Sequence, residues 1–298
     1  MRLQQPSFWN KKGLISLLLL PFGGIYLAIG AIKRALATPY RAKVPVICIG
    51  NITVGGTGKT PIVRAIAEFY HDRGKRVAIL YRGFGGKVKI NREVSATDTA
   101  ATVGDEAIDT KTALPWAKVI VGANRAASAK LVENKVDVII MDDGLQNYTL
   151  AKDFRICVID AKAKFGNALP LPAGPMRELP GALKNMDAVI FTNGKGKGFT
   201  SRLVSTTKLP PRAAAMAAIG NPNKFFDFIE EQGTQITNFF AFPDHHKYTD
   251  AELKAVAAHT PVITTSKDYV KIPKALRKHF TVLNVKAEID KAFFKLLP

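Results

Sequence analysis

The chain has 298 residues, 47% of them hydrophobic, enough for one large core or two smaller ones, and two lobes are expected. Its formal charge of +19 is uneven, since nine Lys and Arg precede the first acidic residue, Glu68. Only two cysteines occur, Cys48 and Cys157, each inside an apolar run, which excludes a disulfide framework or a cysteine metal cluster and suits a reducing cytosolic compartment.

Residues 13–32, GLISLLLLPFGGIYLAIGAI, carry no charge and are long enough on paper to cross a bilayer at roughly 20 residues per span. A cleaved leader does not fit, because the run exceeds the usual roughly 7–15 apolar residues and Lys33 and Arg34 follow it at once. Pro21, Gly23 and Gly24 interrupt its middle, and basic residues flank both ends. Residues 1–37 are therefore expected to form a membrane-interface segment of two short helices, with its lysines and arginines at an anionic lipid surface. Basic residues bracketing an apolar stretch speak for lipid and against nucleic acid, and no obligate protein partner is evident. ATP binding is expected to survive loss of this segment.

From Val46 the pattern becomes VICIGNITVGGTGKTPIVRAIAEFY: an apolar strand, a glycine-rich turn, then helical spacing at Ile62, Ala65, Ile66 and Phe69. Such a loop folds backbone N–H groups around phosphate oxygens, its lysine reaches the terminal phosphates and the next hydroxyl meets Mg²⁺. The candidate ATP site is Thr53, Val54, Gly55, Gly56, Thr57, Gly58, Lys59 and Thr60. Thr53 stands where the full G-x-x-x-x-G-K-[ST] pattern has its first glycine.

In VDVIIMDDGLQN a continuous apolar run ends in Asp142 and Asp143. Continuous hydrophobicity suits a parallel strand covered on both faces, and carboxylates at its carboxyl end fall where doubly wound folds bind ligands. Either aspartate can join Thr60 at a metal that bridges ATP phosphates, although Asp-Asp-Gly is also good turn chemistry. Strands at RVAIL, AKVIV, FRICVID and DAVIFTN alternate with helical stretches, so residues 38–204 read as a P-loop α/β domain with a doubly wound, mainly parallel sheet. Strands near NFFAF, PVITT and FTVLNV give residues 205–298 as a second, smaller α/β lobe.

Other candidates carry two readings each. Asp105 and Glu106 suit catalysis or the amino-terminal end of a helix. His245 and His246 precede a T-x-x-E capping box at Thr249 and Glu252 and could equally be surface histidines. Arg82 and Arg125 follow strands and suit a substrate phosphate or plain solvent. Lys267 and Asp268 either touch ligand or pair with each other.

GNITVGGTGKTP, YRGFGG, VGDEA, DDGLQN, LPAGPMREL, FPDHHKYT and TTSKDYVK occur in one order through most of the chain, and in this the sequence resembles the tetraacyldisaccharide 4'-kinases. The resemblance implies transfer of the ATP γ-phosphate to the 4'-hydroxyl of a tetraacylated glucosamine disaccharide 1-phosphate, with MgATP as co-substrate, at the cytoplasmic face of a Gram-negative inner membrane. It implies Lys59 and Thr60 at the nucleotide and its magnesium, Asp142 and Asp143 at the metal, Asp105 as the residue facing the acceptor hydroxyl and His245 as its support; Arg82, Glu106, Arg125 and Gln146 stand beside these as candidates for substrate contact. Asn147 stands where the family usually has histidine, Phe84 where tyrosine is common and Met176 where leucine is common. The rival is a membrane-bound ATPase switch of the partitioning type, whose loops often carry lysine where this chain has Val54.

Overall fold

The computed structural model describes residues 6–87, 90–95, 97–244 and 246–298. In chain order the elements begin with α1 (Leu14–Ala35), β1 (Val46–Gly50), α2 (Lys59–His71) and β2 (Val77–Tyr81). They continue through β3 (Arg92–Glu93), α3 (Ala100–Val103), α4 (Asp105–Ala113), β4 (Lys118–Val121), α5 (Arg125–Val132) and β5 (Val138–Asp142). Then come β6 (Phe154–Asp160), β7 (Ala188–Thr192), β8 (Phe199–Ser205), β9 (Arg212–Ala217), α6 (Pro222–Glu231) and β10 (Gln235–Ala241). The chain ends with α7 (Asp250–Ala257), β11 (Val262–Thr265), α8 (Ser266–Tyr269), β12 (Phe280–Leu283) and β13 (Val285–Ile289).

Among the described residues the large sheet has nine strands in the order β13-β8-β7-β6-β1-β5-β2-β4-β3. Its interior is parallel, while β3 and β13 run antiparallel at the two edges. Successive side chains of a strand point to opposite faces, and β1 uses both. Ile47 and Ile49 pack with Ile62, Val63 and Ile66 of α2, whereas Val46 and Cys48 lie in the cluster that holds Ala129 and Val132 of α5. This is the doubly wound α/β sheet expected, with each continuous apolar run covered on both faces. The small sheet, β10-β9-β11-β12, is parallel and takes α6 on one face and α7 on the other. After it, β13 returns to the large sheet beside β8, and Phe293 is buried in that sheet's core.

The amino-terminal segment departs from expectation. Residues 14–35 form one continuous helix, not two short ones. Proline removes a single main-chain donor, and the leucines and isoleucines on both sides supply enough turns to carry the helix through Pro21. Gly23 serves packing instead of a break: a Cβ there would stand 2.7 Å from Pro170 Cγ, so the glycine lets α1 lie against the 167–178 segment. Ser16, seven residues earlier on the same face, is also buried. The remaining surface of α1, including Leu14, Leu17, Leu18, Phe22, Ile25 and Ile29, is exposed, and the helix is long and apolar enough to cross a membrane.

Candidate active site

The glycine-rich loop joins β1 to α2. Gly55 (φ 117°) and Gly58 (φ 79°) adopt left-handed conformations that a Cβ would strain, which is why glycine recurs there. Gly58 is also the N-cap of α2 and gives no side-chain cap, so the first N–H groups of that helix stay open to an anion. Thr53, where the motif lacks glycine, is extended and bridges to Met176, and the Val54 N–H donates to Pro175 O at 2.8 Å. The loop therefore leans on a second chain segment rather than on a further glycine. Thr192 Oγ1 donates to Thr57 O at 3.0 Å from the end of β7.

The register of β1 and β5 sets Ile49 beside Asp142, which delivers the aspartate pair to the mouth of this loop. Asp142 is buried, and its Oδ1 has no hydrogen-bond partner. Burial first, and the Glu106 carboxylate second, push the Asp142 carboxyl up to about 7 against the pull of Lys59. Asp143, held at φ 48°, meets Lys59 Nζ at 3.5 Å and Arg177 Nη1 at 2.9 Å. Burial works against its charge, but Lys59 and Arg177 keep its carboxyl below the usual value. Thr57 Oγ1 and Asn51 Oδ1 are likewise buried without partners at the loop, and Thr60 is buried at the start of α2. Unsatisfied buried oxygens cost stability in isolation, so their concentration here marks a place built to receive donors or a cation.

Thr57, Lys59, Thr60, Asp142, Asp143 and Arg177 line one open cleft of about 2100 Å³ between the two sheets. Asp105 and Glu106 open α4, with Glu106 on the far wall and Asp105 buried beside it. Asp105 is buried 3.4 Å from Lys271 Nζ, and Glu106 pairs with Lys267 Nζ at 2.6 Å, whose charge holds the Glu106 carboxyl low against the opposing effect of burial. Lys267 thus reaches across to α4 instead of pairing with Asp268, whose Oδ2 accepts the Ala218 N–H. Arg82 is exposed at the cleft after β2. Arg125 is buried and donates to Gly122 O at 2.9 Å and Asp142 O at 3.2 Å, so its guanidinium props two strand ends. Gln146 donates to Asn51 O at 3.1 Å and to Glu178 Oε1 at 2.8 Å. Asn147 accepts from its neighbour Thr149, and Phe84 is exposed at the cleft rim. His245 lies outside the described residues, while His246 stacks on Phe242 and meets Glu252 at 3.2 Å.

Sequence reasoning did not single out Arg177, Glu178, Lys271, Asn51 or Thr192. Arg177 and Glu178 follow a proline-rich stretch that reads as irregular linker, and only the pairing of that stretch with the phosphate loop reveals their use.

Comparison with known proteins supplies the rest. The profile of the tetraacyldisaccharide-1-P 4'-kinase family, LpxK, matches residues 15–298. A tetraacyldisaccharide 4'-kinase of Shewanella sp. (strain ANA-3) is 38% identical over 310 residues, covering 96% of this chain and 92% of that protein. One from Haemophilus influenzae (strain 86-028NP) is 35% identical over 310 residues, with 96% and 92% covered. The crystal structure of LpxK from Aquifex aeolicus in complex with ATP superimposes with a TM-score of 0.78 at 27% identity, covering 95% of this chain and 98% of that one.

Proposed function

The chain belongs to the tetraacyldisaccharide-1-P 4'-kinase family, and from that premise we propose how its residues divide the work. It is an ATP-dependent kinase of lipid A biosynthesis that phosphorylates the 4'-hydroxyl of a tetraacylated disaccharide 1-phosphate. The rival ATPase switch is not favoured.

Lys59 and the open amino terminus of α2 hold the ATP phosphates and stabilise the negative charge that spreads over the transferred group. A magnesium ion fits the donor set: Thr60 and Asp142 would hold it, with Asp143 behind them, and the unsatisfied Asp142 Oδ1 is the observation that supports this. Few protein ligands are needed, because Mg²⁺ takes one or two carboxylates and completes its shell with phosphate and water. When bound, the ion neutralises charge on the phosphate oxygens. Arg177 orients Asp143 against Lys59. Asp105 accepts the proton of the acceptor hydroxyl, held in place by Lys271, and His245 supports it. Arg82, Glu106 and Gln146 border the acceptor, while Arg125 acts through the backbone at Asp142.

The acylated acceptor stays in the bilayer, so the enzyme must come to it. The exposed leucine and isoleucine face of α1 would lie in the anionic cytoplasmic leaflet of the inner membrane, with Lys11, Lys12 and Lys33 at the headgroups, a monotopic attachment.

One observation carries the reading: Lys59, Asp142, Asp143 and Glu106 border a single cleft, with Asp105 buried next to Glu106 at the start of α4. Purified protein incubated with γ-labelled ATP and a panel of lipid and sugar acceptors tests it. Label is expected in the acylated disaccharide. Release of label only as inorganic phosphate, at a rate indifferent to acceptor, overturns the assignment.

A further inference from the structure

Helix α1 is fastened at both ends to one segment, residues 167–178, and the other side of that segment is the wall of the phosphate loop. At the first end Asn167, almost fully buried, donates through Nδ2 to Phe8 O at 3.1 Å, Ser16 Oγ at 3.1 Å and Ala173 O at 2.9 Å. The Asn167 N–H donates to Trp9 O at 2.7 Å, and Trp9 Nε1 donates to Pro172 O at 3.0 Å. Gly23 closes on Pro170 between the two ends.

At the other end a chain of polar contacts starts from the last turn of α1. Arg34 Nη2 meets Glu178 Oε2 at 2.7 Å, and Glu178 Oε1 accepts from Gln146 Nε2 at 2.8 Å. Gln146 Nε2 also reaches Asn51 O at 3.1 Å, at the base of the loop. Beside Glu178, Arg177 Nη1 meets Asp143 Oδ2 at 2.9 Å, and Asp143 Oδ1 stands 3.5 Å from Lys59 Nζ. The main chain runs in parallel, with Arg177 N donating to Ile52 O at 2.7 Å and Val54 N to Pro175 O at 2.8 Å. A surface anchor would need none of this.

We infer that Arg34 and Asn167 are positioning residues for the nucleotide site, so that ATP affinity depends on the docking of α1 against residues 167–178. The inference rests on the nucleotide assignment above and reverses the expectation that ATP binding is independent of this segment. When α1 is seated, Arg34 fixes Glu178, Glu178 fixes Gln146, which reaches the loop base, and Gln146 Oε1 in turn accepts at 3.5 Å from Arg177 Nη1, the partner of Asp143. When α1 is displaced, Glu178 loses its cation and the segment is free to shift, carrying the wall of the loop with it. The outer face of α1 remains available to lipid in the seated state, because Ser16 and Gly23 face inward.

The test is equilibrium binding of a fluorescent ATP analogue to the detergent-solubilised full chain with no lipid acceptor present. Arg34→Ala should weaken affinity about three- to tenfold, the range of coupling carried by contact networks. In turnover assays KM for ATP should rise by a similar factor while kcat at saturating ATP holds, and Arg34→Lys, which restores one charge but not the fork, should recover part of the loss. Sedimentation with anionic vesicles should be unchanged. Arg34→Ala combined with Glu178→Gln should lose less than the product of the single losses. Wild-type ATP affinity in Arg34→Ala, or fully multiplicative losses in the double variant, overturns the inference. Asn167→Ala is expected to follow Arg34→Ala; should it fail to fold, half-exposed Arg34 carries the decision, with thermal unfolding as the control. Absence of lipid labelling by the wild-type protein would sink the kinase assignment and leave these binding results standing.

Discussion

Asp142→Asn should make the metal-free protein more stable at neutral pH while ending its response to magnesium. The Asp142 carboxyl is raised from 3.8 to about 7, chiefly by burial, with Glu106 adding to the effect and Lys59 opposing it. Between those two values the folded protein binds more protons at this site than the unfolded chain does. Stability from this group is therefore fully present below about 4 and is lost as pH rises through about 7. A shift of roughly three units at about 1.4 kcal/mol each gives an upper figure of about 4 kcal/mol, and about 2–4 kcal/mol is the expected range given the coupling to Lys59 and Glu106. Asparagine keeps the shape and carries no charge to desolvate. Urea unfolding in a mild detergent, from pH 4.5 to 8.5, should show the two proteins closest at the acid end, the variant pulling ahead steadily up to about pH 7 and the gap levelling off beyond it. Added Mg²⁺ should restore stability to the wild type alone. A gap that stays constant with pH, or magnesium stabilising both proteins equally, would refute the link between burial, charge and metal at this residue.

Lys59→Ala should lower kcat by at least about 10²-fold with little change in the thermal midpoint, because the side chain supplies charge at the phosphates and not core packing. Turnover near wild type would remove it from the site. Asp105→Asn should cost about 10² to 10⁴ in kcat with KM for ATP nearly unchanged, as loss of a general base does, and steady-state assays at saturating acceptor decide it. Replacing exposed Leu17 and Leu18 by glutamate should reduce co-sedimentation with anionic vesicles while each change shifts stability by less than about 0.5 kcal/mol, and full membrane binding by that variant would place the lipid contact elsewhere.

The parts of this chain that the sequence makes plain are those whose signal is local. The phosphate loop announces itself because Gly55 and Gly58 answer backbone angles fixed within six residues, and the buried strands announce themselves because parallel strands covered on both faces must be apolar throughout. Strand β9 is harder to see: RAAAMA is rich in alanine, a helix former, and becomes a strand because β10 and β11 pair with it on its two sides and α6 and α7 cover its two faces. Proline and glycine misled at α1 for the converse reason, since the demand on Gly23 comes from Pro170, far along the chain.

Long-range polar pairing is the least legible layer, and it is the layer that assembles the site. Nothing in SKDYVK says that Lys267 will cross to Glu106, because a lysine beside an aspartate has a nearer partner available, or that Lys271 will stand 3.4 Å from Asp105 while it pairs with Asp268 at 3.0 Å. The choice follows from topology: β11 ends opposite the amino terminus of α4, so Lys267 points at a cluster of carboxylates while Asp268 turns back to the Ala218 N–H. The same holds for Arg177, whose partner Asp143 lies 34 positions earlier and is brought near only when residues 175–177 pair with the phosphate loop. A carboxylate that must face a metal and a polyphosphate gains from cations held at fixed distance by a second element, since these lower the cost of its charge before any ligand arrives. Lys59, Asp142 and Asp105 could be chosen as candidates by type and spacing; Arg177, Lys267 and Lys271, which keep neighbouring carboxylates ionised or in place, are chosen by the fold.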